Sequence, residues 1–273
     1  MTVGPDVSGD VPTKLRRPLV LMYHGFTAAA DPLPGCSDPH ELLLPIRRLE
    51  EQLTHLRDRG YEFLDVAGYL RALERPVRRR RVLVTIDDGM RSVGELAAPV
   101  LQAHGVPSVL FVSVGLVTGA GEPPADEVVK PDGPLLSADE LQALPATGME
   151  LGVHGWDHSS LVGADVDALR LATAEARSQL TDLTGTTPRA FAYPYGWHDE
   201  RAAAAVRDSG FDVGFSLYNG SGRHAIDRVD VKPGDTLTAF RVKCVPGYRS
   251  IWRASRRVPA VSRAARTLTW RRG

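Results

Sequence analysis

Short apolar runs alternate with amphipathic stretches from Leu19 to Leu217, and this rhythm restricts the possible folds more than any other property of the chain. Leu19-Val20-Leu21-Met22-Tyr23, Val82-Leu83-Val84-Thr85-Ile86 and five comparable runs at 61–64, 108–112, 149–153, 190–193 and 213–217 have the length of strands buried on both faces. Between them the apolar spacing turns helical. Ile46, Leu49, Gln52, Leu53 and Leu56 share one face of a helix that opens after Pro45 and stops at Gly60. Further helices are predicted over 66–73, 93–104, 165–183 and 199–208, and another to Leu144, capped by Ser137 with Glu140 at the capping-box position. The Gly- and Pro-rich stretches at 28–39 and 113–134 read as loops. Strand–helix alternation builds a parallel sheet with crossover helices. Six or seven units without a Gly-rich phosphate loop predict an α/β barrel, and 273 residues suit one such unit. The expected organisation is a flexible lead at 1–17, a barrel at 18–247 and a basic tail at 248–273.

In a parallel α/β barrel the reactive groups gather at the carboxyl ends of the strands. The first run ends in Tyr23-His24. The run from Val82 ends in Asp87-Asp88-Gly89, that from Met149 in His154-Gly155-Trp156-Asp157-His158, and that from Ala190 in Tyr193-Pro194-Tyr195-Gly196. Two adjacent carboxylates after a buried strand need a compensating cation. Asp88 with His154 and His158 makes a set of two histidines and one carboxylate that leaves coordination positions open. Zinc takes such ligands in catalytic sites, and so does ferrous iron in oxygenases. Asp87, next to one ligand, has the position of a general base for a metal-activated water.

Three motifs in this order, Thr85-Ile86-Asp87-Asp88-Gly89, His154-Gly155-Trp156-Asp157-His158 and Phe191-Ala192-Tyr193-Pro194-Tyr195-Gly196, resemble those of the polysaccharide deacetylases, the NodB-homology domains of carbohydrate esterase family four. The opening Leu21-Met22-Tyr23-His24-Gly25-Phe26 resembles one branch of that family. The resemblance runs from about Leu19 to Leu217. It implies a distorted (β/α)7 TIM-like barrel, a divalent metal, usually zinc, and hydrolysis of N-acetyl groups on aminosugars. It also implies roles: Asp87 as base, Asp88, His154 and His158 as metal ligands, and the Tyr195 backbone N–H as an oxyanion donor. Two departures stand out. Many members carry Arg where this chain has Ala192, so the arginine that orients the base is missing or comes from elsewhere. The late Leu-x-His motif, whose histidine protonates the leaving amine, has no clear counterpart. His224, within Ser221-Gly222-Arg223-His224, lies in that part of the chain and is the candidate acid, with His24 as its rival. His24, Tyr193, Trp156 and Trp197 are the candidate substrate-binding residues, although the two tryptophans suit core packing equally well. Competing functions are hydrolysis of another small amide, such as a formamide, and a catalytically silent carbohydrate-binding barrel.

Charge is balanced overall, with 33 basic and 33 acidic side chains, which argues against a general nucleic-acid binder. It is not evenly spread. Residues 249–273 hold eight arginines and no acid, leaving 25 basic against 33 acidic groups elsewhere. Trp252 and Trp270 interleave with those arginines, so peripheral contact with an anionic membrane is expected of this tail. Cys36 and Cys244 match no metal or redox spacing and read as unpaired thiols. No apolar run approaches a membrane span, and the first thirteen residues lack the pattern of an export signal; a cytoplasmic protein is the expectation.

Overall fold

A computed structural model of the protein describes residues 17–34, 38, 40–75, 78–123, 133–217, 220 and 222–248. The predicted lead, except Arg17, and the basic tail beyond Tyr248 lie outside these residues. In chain order the strands are β1 (Leu19–Tyr23), β2 (Gly25–Thr27), β3 (Leu43–Pro45), β4 (Glu62–Leu64), β5 (Arg81–Ile86), β6 (Ser108–Val112), β7 (Met149–Val153), β8 (Ala190–Ala192), β9 (Val213–Leu217) and β10 (Ile226–Asp230). The α-helices are α1 (Ile46–Asp58), α2 (Val66–Glu74), α3 (Ala98–Ala103), α4 (Val114–Thr118), α5 (Ala138–Ala143), α6 (Val166–Arg170), α7 (Ala176–Thr184), α8 (Glu200–Asp208) and α9 (Leu237–Lys243).

Every pairing in the main sheet is parallel, and the order β1-β10-β9-β8-β7-β6-β5 closes through β1 on β5, from Leu19 opposite Val82 to Tyr23 opposite Ile86. The result is a closed seven-stranded barrel. β4 pairs only with the first half of β5, at Arg81 to Leu83, while β6 takes the second half. The predicted strands and helices appear within a residue or two of their expected bounds, and Ser137 and Glu140 form the full capping box.

Period-two alternation assigns each wall residue to one of two cores. Val82, Val84, Ile86, Val153 and Phe191 face outward against the helices, whose buried faces include Leu49, Leu53 and Leu56 of α1. Leu83, Val109, Phe111, Val213 and Phe215 face inward, and α2 packs Val66, Tyr69 and Leu70 into that interior.

Five elements depart from the sequence reading, among them β2 and β3, which form a separate two-stranded sheet. The last strand, β10, was not expected, because three of the five residues in Ile226-Asp227-Arg228-Val229-Asp230 are charged and the segment lacks the apolar run of a buried strand. It nonetheless closes the barrel beside β1. Helix α9 follows it. The stretch after β6 expected as pure loop begins with α4, whose Val114 and Gly115 amides donate to the Gly155 and Trp156 carbonyls.

Candidate metal centre

The inward register of β5 runs Leu83, Thr85, Asp87, and that of β7 runs Glu150, Gly152, His154. Alternation alone therefore delivers Asp87 and His154 to the interior at the carboxyl ends. Asp88 then leaves the extended region with φ 74°, and His158 and Tyr195 have φ 67° and 58°. These are three of the four non-glycine residues with positive φ among the described residues, and all three belong to the motifs at the strand ends. Non-glycine residues held there cost about 1–3 kcal/mol each and persist where surrounding structure enforces them.

Asp88, His154 and His158 are all buried, with ligand atoms within 4.8 Å of one another. Asp88 Oδ1 lies 3.4 Å from His154 Nε2 and 3.5 Å from His158 Nε2. It is buried without a hydrogen-bond partner among the described residues. An orphaned carboxylate oxygen between two imidazole nitrogens would be costly in a purely structural role. His154 Nδ1 sits 2.8 Å from the Ala192 carbonyl and must donate to it, which leaves the Nε2 lone pair aimed at the cluster. The donor set therefore fits a divalent cation bound by nitrogen and oxygen.

Asp87 is held differently. Arg228, fully buried on β10, donates from Nη1 to Asp87 Oδ1 and from Nη2 to Oδ2, both at 2.7 Å. Nη1 also reaches Thr85 Oγ1 at 3.2 Å, and Thr85 in turn donates to the Leu21 carbonyl. The guanidinium lies 5.8 Å above the Phe111 ring. Phe111 occupies the space that a side chain at Gly152 would need, since a Cβ there would stand 2.4 Å from the ring. Burial pushes the Asp87 carboxyl up, but Arg228, His154 and His24 outweigh it and hold the group below the ordinary carboxylate range. Asp88 is also lowered: burial pushes it up, and His154, His24 and His158 outweigh that.

The structure thus brings Asp87, Asp88, His154 and His158 together and places His24 within electrostatic range of both aspartates. Tyr195 joins them through its ring, 4.8 Å from that of His158, and the half-exposed Trp197 ring lies 5.3 Å from Tyr195. Three expected residues are placed elsewhere. His224 bonds through Nε2 to the Phe211 carbonyl, ahead of β9, and is not brought to the cluster. Tyr193 is fully buried in the outer core, its hydroxyl donating to the His224 carbonyl at 2.7 Å. Trp156 is wedged against Gly115 and Gly121, each close enough that a Cβ would come within 3 Å of its indole nitrogen. Arg228, paired with Asp87, is the residue of this cluster that sequence reasoning missed.

A model of the family described as polysaccharide deacetylase matches residues 74–214, which is more than half of the chain. The chain belongs to the polysaccharide deacetylase family. Bacillus subtilis (strain 168) YxkH, which carries the family name, is 23% identical over 228 residues, 81% of this chain and 74% of that protein. The poly-beta-1,6-N-acetyl-D-glucosamine N-deacetylase of Escherichia coli (strain K12) is 24% identical over 232 residues, 70% of this chain but only 34% of its own length. Among solved structures, IcaB from Ammonifex degensii superposes with a TM-score of 0.64 at 25% identity, covering 85% of this chain and 96% of that one. Residue 192 is alanine in this chain, and the arginine that pairs with Asp87 is Arg228, on β10.

Proposed function

We propose that this deacetylase removes N-acetyl groups from an aminosugar-containing glycan or a lipid-linked sugar, at a divalent metal held by Asp88, His154 and His158. The observation that carries the reading is the buried pair of unlike aspartates: one oxygen of Asp88 is left without a hydrogen bond between two histidines, while both oxygens of Asp87 are claimed by Arg228. When bound, the ion supplies Lewis acidity that acidifies water and polarises the amide carbonyl. Asp87 takes the proton of the attacking water, and Arg228 fixes its orientation and keeps it ionised. The Tyr195 N–H, turned by the positive φ, donates to the oxygen that gains charge, a contribution of about 3 kcal/mol in comparable sites. His24 supplies the proton to the departing amine. The exposed Trp197 offers a face for a pyranose ring. A catalytically silent sugar-binding barrel would have no use for a second buried carboxylate held by its own arginine.

Neither the substrate class of the E. coli relative, a β-1,6-linked N-acetylglucosamine polymer by its name, nor its length carries over by itself. The tail at 249–273, outside the described residues, is the segment suited to an anionic surface. Among the described residues no helix is long and apolar enough to cross a membrane. Acetate release from N-acetylglucosamine oligomers, with the full chain stripped by chelator and then reloaded with zinc, tests the proposal. Activity lost on stripping and recovered with zinc is expected. Acetate release indifferent to the chelator would overturn it.

A further inference from the structure

The opposite end of the barrel carries a second charged feature that the deacetylase chemistry does not use. Helices α1 and α9 both end beside the amino-terminal ends of β4 and β5. Between them lies a cleft of about 360 Å3 lined by His55, Arg59, Tyr61, Arg80, Arg241 and Cys244, with Val245 and Pro246 at its edge. Among the described residues its lining holds three guanidinium groups and no carboxylate. Among the described residues, Arg59, Arg80 and Arg241 have no ion-pair partner, whereas Arg81, the neighbour of Arg80, is paired with Glu62 at 3.0 Å. Arg80 stacks over the Tyr61 ring at 5.7 Å, and the Tyr61 hydroxyl donates to the Cys244 carbonyl at 3.3 Å, so the floor of the cleft is fixed.

The arginines converge on the same space. The imidazole of His55 is pushed towards its neutral form by burial and then by the charges of Arg241, Arg59 and Arg80, with Asp58 alone pulling the other way. Asp58 does not line this cleft; with Glu50 and Glu51 it lines the adjoining groove between α1 and α9, which His55 and Arg241 also border. A role as helix C-caps explains part of this arrangement, since cations favour the carbonyl ends of α1 and α9. It does not explain Arg80, which is on neither helix and completes the ring of charge from the β5 side. Three like charges around one cleft are mutually repulsive unless an anion sits among them, and guanidinium forks suit phosphate oxygens. Val245, at the edge of the cleft, is one of the large apolar residues most exposed to solvent among the described residues. The sequence continues from it into the eight arginines of 249–273.

We propose that the cleft formed by Arg59, Arg80 and Arg241 at the amino-terminal end of the barrel is a binding site for a phosphate group, borne by an anionic lipid headgroup or free in solution. The site is independent of the metal centre and needs no acetylated sugar. Two probes on the full chain test it: isothermal titration with inorganic phosphate, and co-sedimentation with phosphatidylglycerol vesicles against phosphatidylcholine vesicles. The variants are Arg59→Gln with Arg241→Gln, and separately Arg80→Gln. Each retains the whole tail, so the tail's own contribution cancels in the comparison. The expected result is saturable binding that weakens by about tenfold for each guanidinium removed, the loss typical of a charge-assisted hydrogen bond. Losses on vesicles alone identify a lipid headgroup, and losses in the phosphate titration identify a free ligand. Arginines acting only as caps would lower the melting temperature and leave both binding curves unchanged; that outcome, or no binding by the parent chain to either probe, overturns the site. Acetate release by the same variants should match the parent, which keeps a failure of the cleft distinct from a failure of the metal centre.

Discussion

The two ends of the barrel handle charge in opposite ways. At the carboxyl end the charges are buried and each is set against another: Arg228 on Asp87, and His154 and His158 beside Asp88. At the amino end the arginines of the α1–α9 cleft are solvent-facing and lack carboxylate partners among the described residues. Burial makes the difference consequential. A buried ion left alone is penalised by several kcal/mol, so the carboxyl end cannot lose one member without disturbing the others. The exposed cluster is screened by water and tolerates substitution, usually within about 0.5 kcal/mol of stability. One end is a coupled network and the other a set of separable contacts.

The severest way to test that coupling is to remove a ligand. Asp88→Ala, His154→Ala and His158→Ala should each bring zinc content on the purified protein close to zero and acetate release to background. Full metal occupancy in all three would remove the proposed centre. Asp87→Asn should separate binding from chemistry: metal retained, turnover down by about 10²–10⁴-fold. Wild-type turnover there would move the base elsewhere.

Arg228 comes next. Arg228→Gln strands a buried carboxylate and should destabilise the protein by about 3–5 kcal/mol, with Arg228→Lys recovering part of the loss. A pH profile distinguishes its electrostatic role from simple unfolding. Asp87 works deprotonated, so activity is present above its lowered pKa and fails as pH falls through it. Without Arg228, burial still pushes the carboxyl up and the larger opposing influence is gone, so the acid limb of kcat/KM should move to higher pH. An acid limb that stays put in the folded variant would mean Arg228 does not tune this group.

This residue also marks where sequence reasoning stopped. The candidate ligands and the proposed base were legible because they are contiguous with their strands: Asp87-Asp88-Gly89 and His154 to His158 follow apolar runs directly. The barrel was legible for the same reason. Arg228 was not, since it reaches Asp87 across 141 positions and is carried by a strand with charged residues at Asp227, Arg228 and Asp230. Two physical demands pointed to it. A buried carboxylate needs a cation, and a closed barrel needs a strand beside β1. His224 is the opposite case, since the structure sets its Nε2 on the Phe211 carbonyl. Chain position suggested it, but position along a sequence says nothing about which side of the wall a loop lies on.

The proton donor follows as a smaller effect. His24→Ala should lower turnover, with metal content little changed, and flatten the alkaline limb of the pH profile, because that limb reports a group that must stay protonated. His224→Ala should leave turnover and profile near wild type, since its Nε2 is committed to the Phe211 carbonyl. The reverse pattern would restore His224 as the acid.

The smallest effect expected divides two tryptophans that look alike in sequence. Both follow a strand-end motif, yet Trp156 fills a notch made by Gly115 and Gly121, while half of Trp197 is open to solvent beside Tyr195. Trp156→Ala should act through packing: the notch empties, α4 loses its seat on the loop that carries His154 and His158, and the melting temperature falls. Trp197→Ala exposes no new cavity, so stability should hold. If its ring stacks on a sugar, the lost contact is worth about 1 kcal/mol, a several-fold rise in KM, and it should be larger for oligomers than for a monosaccharide. Turnover should stay constant, because a contact made equally in the ground and transition states changes binding and leaves the chemical step alone. Equal KM values for the variant and the parent across chain lengths would place the sugar on another face of the cluster, and a fall in turnover would mean that Trp197 acts through Tyr195 and the oxyanion turn.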